Sequence, residues 1–146
     1  MRAPLPSLVA ATSQAQIFAT AATSKQAMNK HILLVLTNAV VGREDEFNRW
    51  YDDIHIPDLL KIPEIVSAQR FRLSSEQKAS PPFPWQYLAL YEIETNDLNR
   101  VVAVLKERAG TVALPLTDAL QTERIGWYFD LLTPRVTATT LRRSAS

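Results

Sequence analysis

Phe47-Asn48-Arg49-Trp50-Tyr51-Asp52-Asp53-Ile54-His55-Ile56-Pro57 is the stretch whose reading decides the architecture of this chain. Phe47, Trp50, Tyr51 and Ile54 recur three and four residues apart, which predicts the apolar stripe of a first helix. Just upstream, Gly42 permits a turn, and Glu44, Asp45 and Glu46 suit the positive end of a helix dipole. Pro57 has no N–H to donate and its ring crowds the preceding turn, so it is expected to end or kink this helix. Leu59, Leu60 and Ile62 follow before Pro63 closes the segment.

Working outward, His31–Thr37 is an almost unbroken apolar run and predicts a strand buried on both faces. Ile65–Leu73 predicts a second strand, with Ile65, Ser67, Gln69, Phe71 and Leu73 on one face and Val66, Ala68, Arg70 and Arg72 on the other. The proline-bearing stretch from Ser74 to Pro84 is an exposed loop. Trp85–Glu94 is a third strand with Trp85, Tyr87, Ala89, Tyr91 and Ile93 alternating on one face. Asp97 is placed to cap a second helix whose stripe is Leu98, Val101, Val102 and Leu105, and Gly110 to terminate it. Glu123–Leu132 is the fourth strand, with Ile125, Trp127, Phe129 and Leu131 on one side. The resulting β-α-β-β-α-β order is the split βαβ of an α+β, ferredoxin-like fold: a four-stranded antiparallel sheet with two helices on one face. Its other face needs a cover, and a second copy of the chain, pairing through the sheet, is the simplest one.

Composition narrows the chemistry. With no cysteine, disulfides, thiolate metal sites and cysteine nucleophiles are excluded, and two histidines are too few for a multi-histidine metal site within one chain. No metal and no cofactor are therefore expected. Residues 44–133 carry 9 basic and 15 acidic side chains, a balance of −6 that repels phosphate backbones, so nucleic acid is not an expected partner. No apolar run approaches the roughly 20 residues of a membrane span. The chain divides into an Ala/Ser/Thr-rich leader over 1–29, expected to be disordered, mis-assigned or transit-like, a single domain over 30–133, and a basic, patternless tail over 134–146 expected to be disordered. The leader lacks the clean apolar core of a secretory signal, and a cytoplasmic location is the expectation.

His55 carries the functional expectation. Histidine exchanges protons near neutrality, and on a helix Tyr51 and Asp52 lie four and three residues before it. Asp52 is then the expected orienter of the imidazole, and Tyr51 a donor to a developing oxyanion. The same residues admit a structural reading, in which Trp50, Tyr51 and Ile54 are core and Asp52 and Asp53 solvated surface.

The stretch Phe47–Pro57, continued by Val66-Ser67-Ala68-Gln69-Arg70-Phe71 and by Tyr87-Leu88-Ala89-Leu90-Tyr91-Glu92, resembles the EthD-like group of dimeric α+β barrel proteins. The shared signature is W-Y-x-x-x-H-x-P on the first helix and S-A-x-R-[FY] on the second strand. The resemblance implies a ferredoxin-like subunit, dimerised through its sheet, with a pocket between helices and sheet into which His55 points. Relatives of this kind include lactone isomerases, cyclases and dehydratases, haem-binding enzymes and cofactor-free monooxygenases. One departure is Pro63-Glu64-Ile65, where many such sequences have Pro-Gly-Phe, so the pocket edge is expected to differ.

The leading expectation is thus an enzyme of isomerase, lyase or cyclase type, acting by histidine acid/base chemistry on a small apolar carbonyl or lactone compound. His55, Tyr51 and Asp52 are its catalytic candidates. Trp50, Trp85, Tyr87, Tyr91 and Trp127 are candidate apolar walls, and Arg70, with Arg72 behind it, a carboxylate anchor. The alternatives are a cofactor-free or haem-dependent monooxygenase on the same fold, and a non-catalytic dimer that binds a small hydrophobic molecule.

Overall fold

The apolar run at 31–37 forms the centre of a sheet. In the computed structural model, which describes residues 28–145, β1 (Lys30–Thr37) lies between β3 (Tyr87–Glu94) and β4 (Ile125–Asp130), and β2 (Ile65–Arg72) pairs with β3 to complete the order β2-β3-β1-β4. All neighbours are antiparallel. This is the ferredoxin-like α+β arrangement. The leader falls outside the described residues, except that Asn29 is tied to the sheet by Thr95 N donating to its carbonyl at 2.9 Å. Among the described residues no helix is long and apolar enough to cross a membrane.

The helical segment after β1 differs from expectation at Pro57. It runs as α1 (Glu44–Trp50), one π-turn (Tyr51–His55) and α2 (Ile56–Leu59), so Pro57 sits inside the continuing helix and does not end it. The wider turn, in which Ile56 N–H donates to Tyr51 O, absorbs the proline: a register offset by one residue opens the ladder where an α-helix would crowd the ring against a carbonyl. That offset also turns Ile54 outward, leaving it 44% exposed, whereas Phe47, Trp50 and Tyr51 remain in the core.

Inward-facing residues of the sheet meet these helices and α3 (Leu98–Arg108). Leu33, Ala89, Tyr91 and Ile93 pack with Phe47, Tyr51, Leu59 and Val101. On α3 the inward stripe is Leu98, Val101, Val104 and Leu105, with Val104 taking the place expected of Val102. Asp97 caps this helix, accepting from Arg100 N at 3.1 Å, and Gly110 reverses the chain after it at φ +79°. A bulge between Ile65 and Ser67 breaks the strict alternation expected of β2. Ile65, Ala68 and Arg70 therefore share the helix side, and Phe71 faces away.

The outer face of the sheet is largely apolar, and among the described residues Ile32, Phe71, Trp127 and Phe129 stand exposed on it. Cross-strand register aligns Phe71, Leu88, Leu36 and Ile125 in one row, Gln69, Leu90, Leu34 and Trp127 in the next, and Ser67, Glu92, Ile32 and Phe129 in the third. Among the described residues β1 is consequently covered by helices on one face only, unlike the strand buried on both faces that its composition predicts. His31, at the start of this strand, is held by both ring nitrogens, to Asp130 Oδ1 at 2.7 Å and Thr95 O at 3.2 Å. The tail, expected to be disordered, contains α4 (Ala138–Ser144), capped by Thr137 and exposed throughout.

Candidate functional site

The offset of the π-turn decides which side chains meet. At 3.6 residues per turn, positions five apart point about 140° away from each other. Across this wider turn Trp50 and His55 stack instead, their ring centroids 4.5 Å apart and 28° from parallel. Tyr51 closes on the same imidazole edge-on at 5.1 Å. Trp50 is fixed in turn by donating Nε1–H to Pro115 O at 3.0 Å, which ties the first helix to the long connection between α3 and β4. That connection is itself pinned to the chain after β1, where Val40 N donates to Ala119 O at 2.7 Å and Gln121 N to Asn38 O at 3.0 Å.

These elements enclose a cavity of ≈ 230 Å³ between helices and sheet. Its floor is Leu33, Val35, Thr37, Tyr91, Gly126 and Tyr128 from the inner rows of β1, β3 and β4. Trp50, Tyr51, His55 and Leu59 form one wall, and Leu105, Leu114, Leu116 and Leu120 another; Arg124 stands at the rim.

Two polar atoms in this apolar setting have no hydrogen bond. Among the described residues, His55 Nδ1 and Tyr91 Oη are the two buried side-chain atoms without a partner, and both belong to residues lining the cavity. An unpartnered buried polar group costs on the order of 1–3 kcal/mol. Burial, reinforced by the charge of Arg124, pushes the imidazole down to about 4, so His55 is neutral at physiological pH. Burial raises the Tyr51 and Tyr91 hydroxyls above the ordinary phenol range, which keeps both protonated and able to donate. The two phenols are near enough to sense each other's ionisation, yet the Tyr91 hydroxyl forms no bond of acceptable geometry with its neighbour.

Several candidates lie elsewhere. Asp52 does not orient His55; its carboxylate accepts from Arg70 Nη1 at 2.7 Å on the far side of the helix, and no carboxylate raises the imidazole's proton affinity by direct contact. Arg70 is the clamp of that pair. Its guanidinium also donates to Asn48 Oδ1 at 2.7 Å and lies 4.3 Å from the Tyr51 ring centroid, which leaves it outside the cavity lining. Tyr87 packs against Phe47, ring centroids 4.8 Å apart and tilted by 49°, also outside the lining. Trp85 precedes β3 in the loop, and Trp127 is on the opposite face of the sheet, 55% exposed. Arg72 lies at the exposed end of β2. Glu64 takes an ordinary backbone conformation and pairs with Arg100 at 2.7 Å.

Tyr128 and Arg124 are the lining residues that sequence reading passes over. On β4 the more apolar set, Ile125, Trp127 and Phe129, suggests the inward face, but Trp127 and Phe129 stand in the outer rows; Gly126 and Tyr128 line the cavity, together with Ile125 at the start of the strand. Strand alternation carries this signal only once it is known which face meets the helices.

No family model matches this chain, and no curated protein matches it. Among solved structures, the crystal structure of HapK from Hahella chejuensis is similar at 16% identity and a TM-score of 0.39, over 75% of this chain and 98% of that one.

Proposed function

We propose that the His55 cavity binds a small, largely apolar carbonyl or lactone compound and moves a proton at the carbon beside its carbonyl. The observation that carries this reading is one apolar cavity lined by both His55 and Tyr91, each of which also keeps a buried polar atom without a hydrogen bond. Neutral His55 has a lone pair to accept the proton, and the Tyr51 and Tyr91 hydroxyls can donate to the oxygen on which negative charge then builds. Return of the proton at a conjugated carbon completes an isomerisation, with no net change in atoms or electrons. The W-Y-x-x-x-H-x-P resemblance supports the same location, since the first-helix histidine lies in the pocket of lactone isomerases of that kind.

The burial that empties the imidazole of its proton also makes it a weak base, which favours a second reading: a protein that holds such a molecule without turning it over. One experiment separates them. The protein is incubated in D2O with α-angelica lactone, a small β,γ-unsaturated lactone, and deuterium entry next to the carbonyl is followed by NMR. Incorporation faster than in buffer, lost in His55→Gln, is the expected result. Incorporation at the buffer rate, or unchanged in the variant, would remove the catalytic reading.

We further propose that a second copy of the chain covers the outer sheet face, because its aromatic and aliphatic rows form one continuous strip.

A further inference from the structure

We infer that Arg124 is an anion anchor at the rim of the His55 cavity, and that the molecule taken up there is an apolar compound bearing a carboxylate. The inference rests on the reading of this cavity as a small-molecule site and adds the class of ligand to it.

Arg124 lines the cavity while remaining exposed, so its guanidinium stands where the apolar interior opens to water. No Asp or Glu lines the same cavity. The other two charges that act on His55 are already matched: Asp58 is engaged by Lys61 at 2.9 Å, and Arg70 by Asp52 at 2.7 Å. Among the described residues Arg124 has neither an ion pair nor a side-chain hydrogen bond. A guanidinium presents a planar fork that fits a carboxylate with two parallel hydrogen bonds, and it does so more strongly beside an apolar wall than in open water. Behind it the leucine-lined cavity takes a hydrocarbon body, and the phenol hydroxyls with His55 meet whatever polar atom that body carries at its inner end.

The test uses phenylacetate and phenylacetamide, which match in size and shape and differ in charge, with binding measured by titration calorimetry. The wild-type protein is expected to hold phenylacetate about tenfold more tightly than phenylacetamide, the gain ordinary for a charge-assisted hydrogen bond. Arg124→Gln removes that gap and leaves phenylacetamide binding unchanged, and Arg124→Lys retains part of it. Because Arg124 is exposed, neither change disturbs the core. Gly126→Leu serves as the cavity control. A Cβ placed there meets only Leu33 Cδ1 at 3.9 Å, an ordinary contact, so the added side chain projects into the cavity and is expected to abolish binding of both probes. No preference in the wild type, or a preference that survives Arg124→Gln, overturns the anchor while the cavity stands. Failure of both probes to bind the wild type, or undiminished binding to Gly126→Leu, overturns the cavity reading and the anchor with it.

Discussion

His55 is held in a state that water would not favour. Its imidazole is stacked on Trp50 and met edge-on by Tyr51, lacks a partner at Nδ1, and stays unprotonated down to about pH 4. The unfolded chain takes up that proton near pH 6.5. The sign follows directly. A folded pKa below the unfolded one means that the unfolded state binds more protons across this interval. The His55 contribution is therefore complete above about pH 6.5, falls as the pH drops, and is lost below about pH 4. The span corresponds to a loss of roughly 3 kcal/mol. Urea unfolding at pH 7 and pH 4 is expected to show the wild type losing stability relative to His55→Leu by about that amount. Equal losses in the two proteins would show that His55 is not buried as described.

At the scale of elements, the first helix illustrates how much one proline changes. Spacing alone identifies Phe47, Trp50 and Tyr51 as core, and it places Tyr51 and His55 near each other. It does not reveal that the ladder widens into a π-turn, because the choice between a broken helix and an offset one depends on what the following turn packs against. Leu59 and Ile62 are buried beyond Pro57 and hold the helix on course. α3 is the simpler case. Its cap, its terminating glycine and its stripe, apart from Val104 in place of Val102, are legible, since each is a local device acting within a few residues. Loss of the Asp97 cap in Asp97→Ala leaves the Arg100 N–H without its partner and is expected to cost about 1 kcal/mol, read as a shift in the urea midpoint. A midpoint unmoved within error would mean that solvent replaces the cap fully.

For the whole molecule, the sheet divides the chain's aromatic residues between two destinations. Phe47, Tyr51 and Tyr91 are enclosed under the helices, and Phe71, Trp127 and Phe129 stand on the bare face. If a second copy covers that face, sedimentation is expected to give twice the chain mass at micromolar concentration. Trp127→Glu, a change at an exposed side chain, is then expected to give the single-chain mass with an unaltered circular dichroism spectrum. A wild-type protein that sediments as one chain would require another cover for these rows.

Alternating and helical periods, an Asp cap, glycines at 42 and 110 and the loop prolines are enough to derive the β-α-β-β-α-β order from sequence alone, because each acts over a handful of neighbours. The location of the candidate site near Tyr51 and His55 was legible for the same reason. What required the tertiary structure was every decision between faces: Arg70 turned by a bulge onto Asp52, Tyr128 inward and Trp127 outward, Arg124 left unpaired at a cavity rim. Period-two alternation is symmetric with respect to the sheet, and only the packing of helices on one side breaks that symmetry.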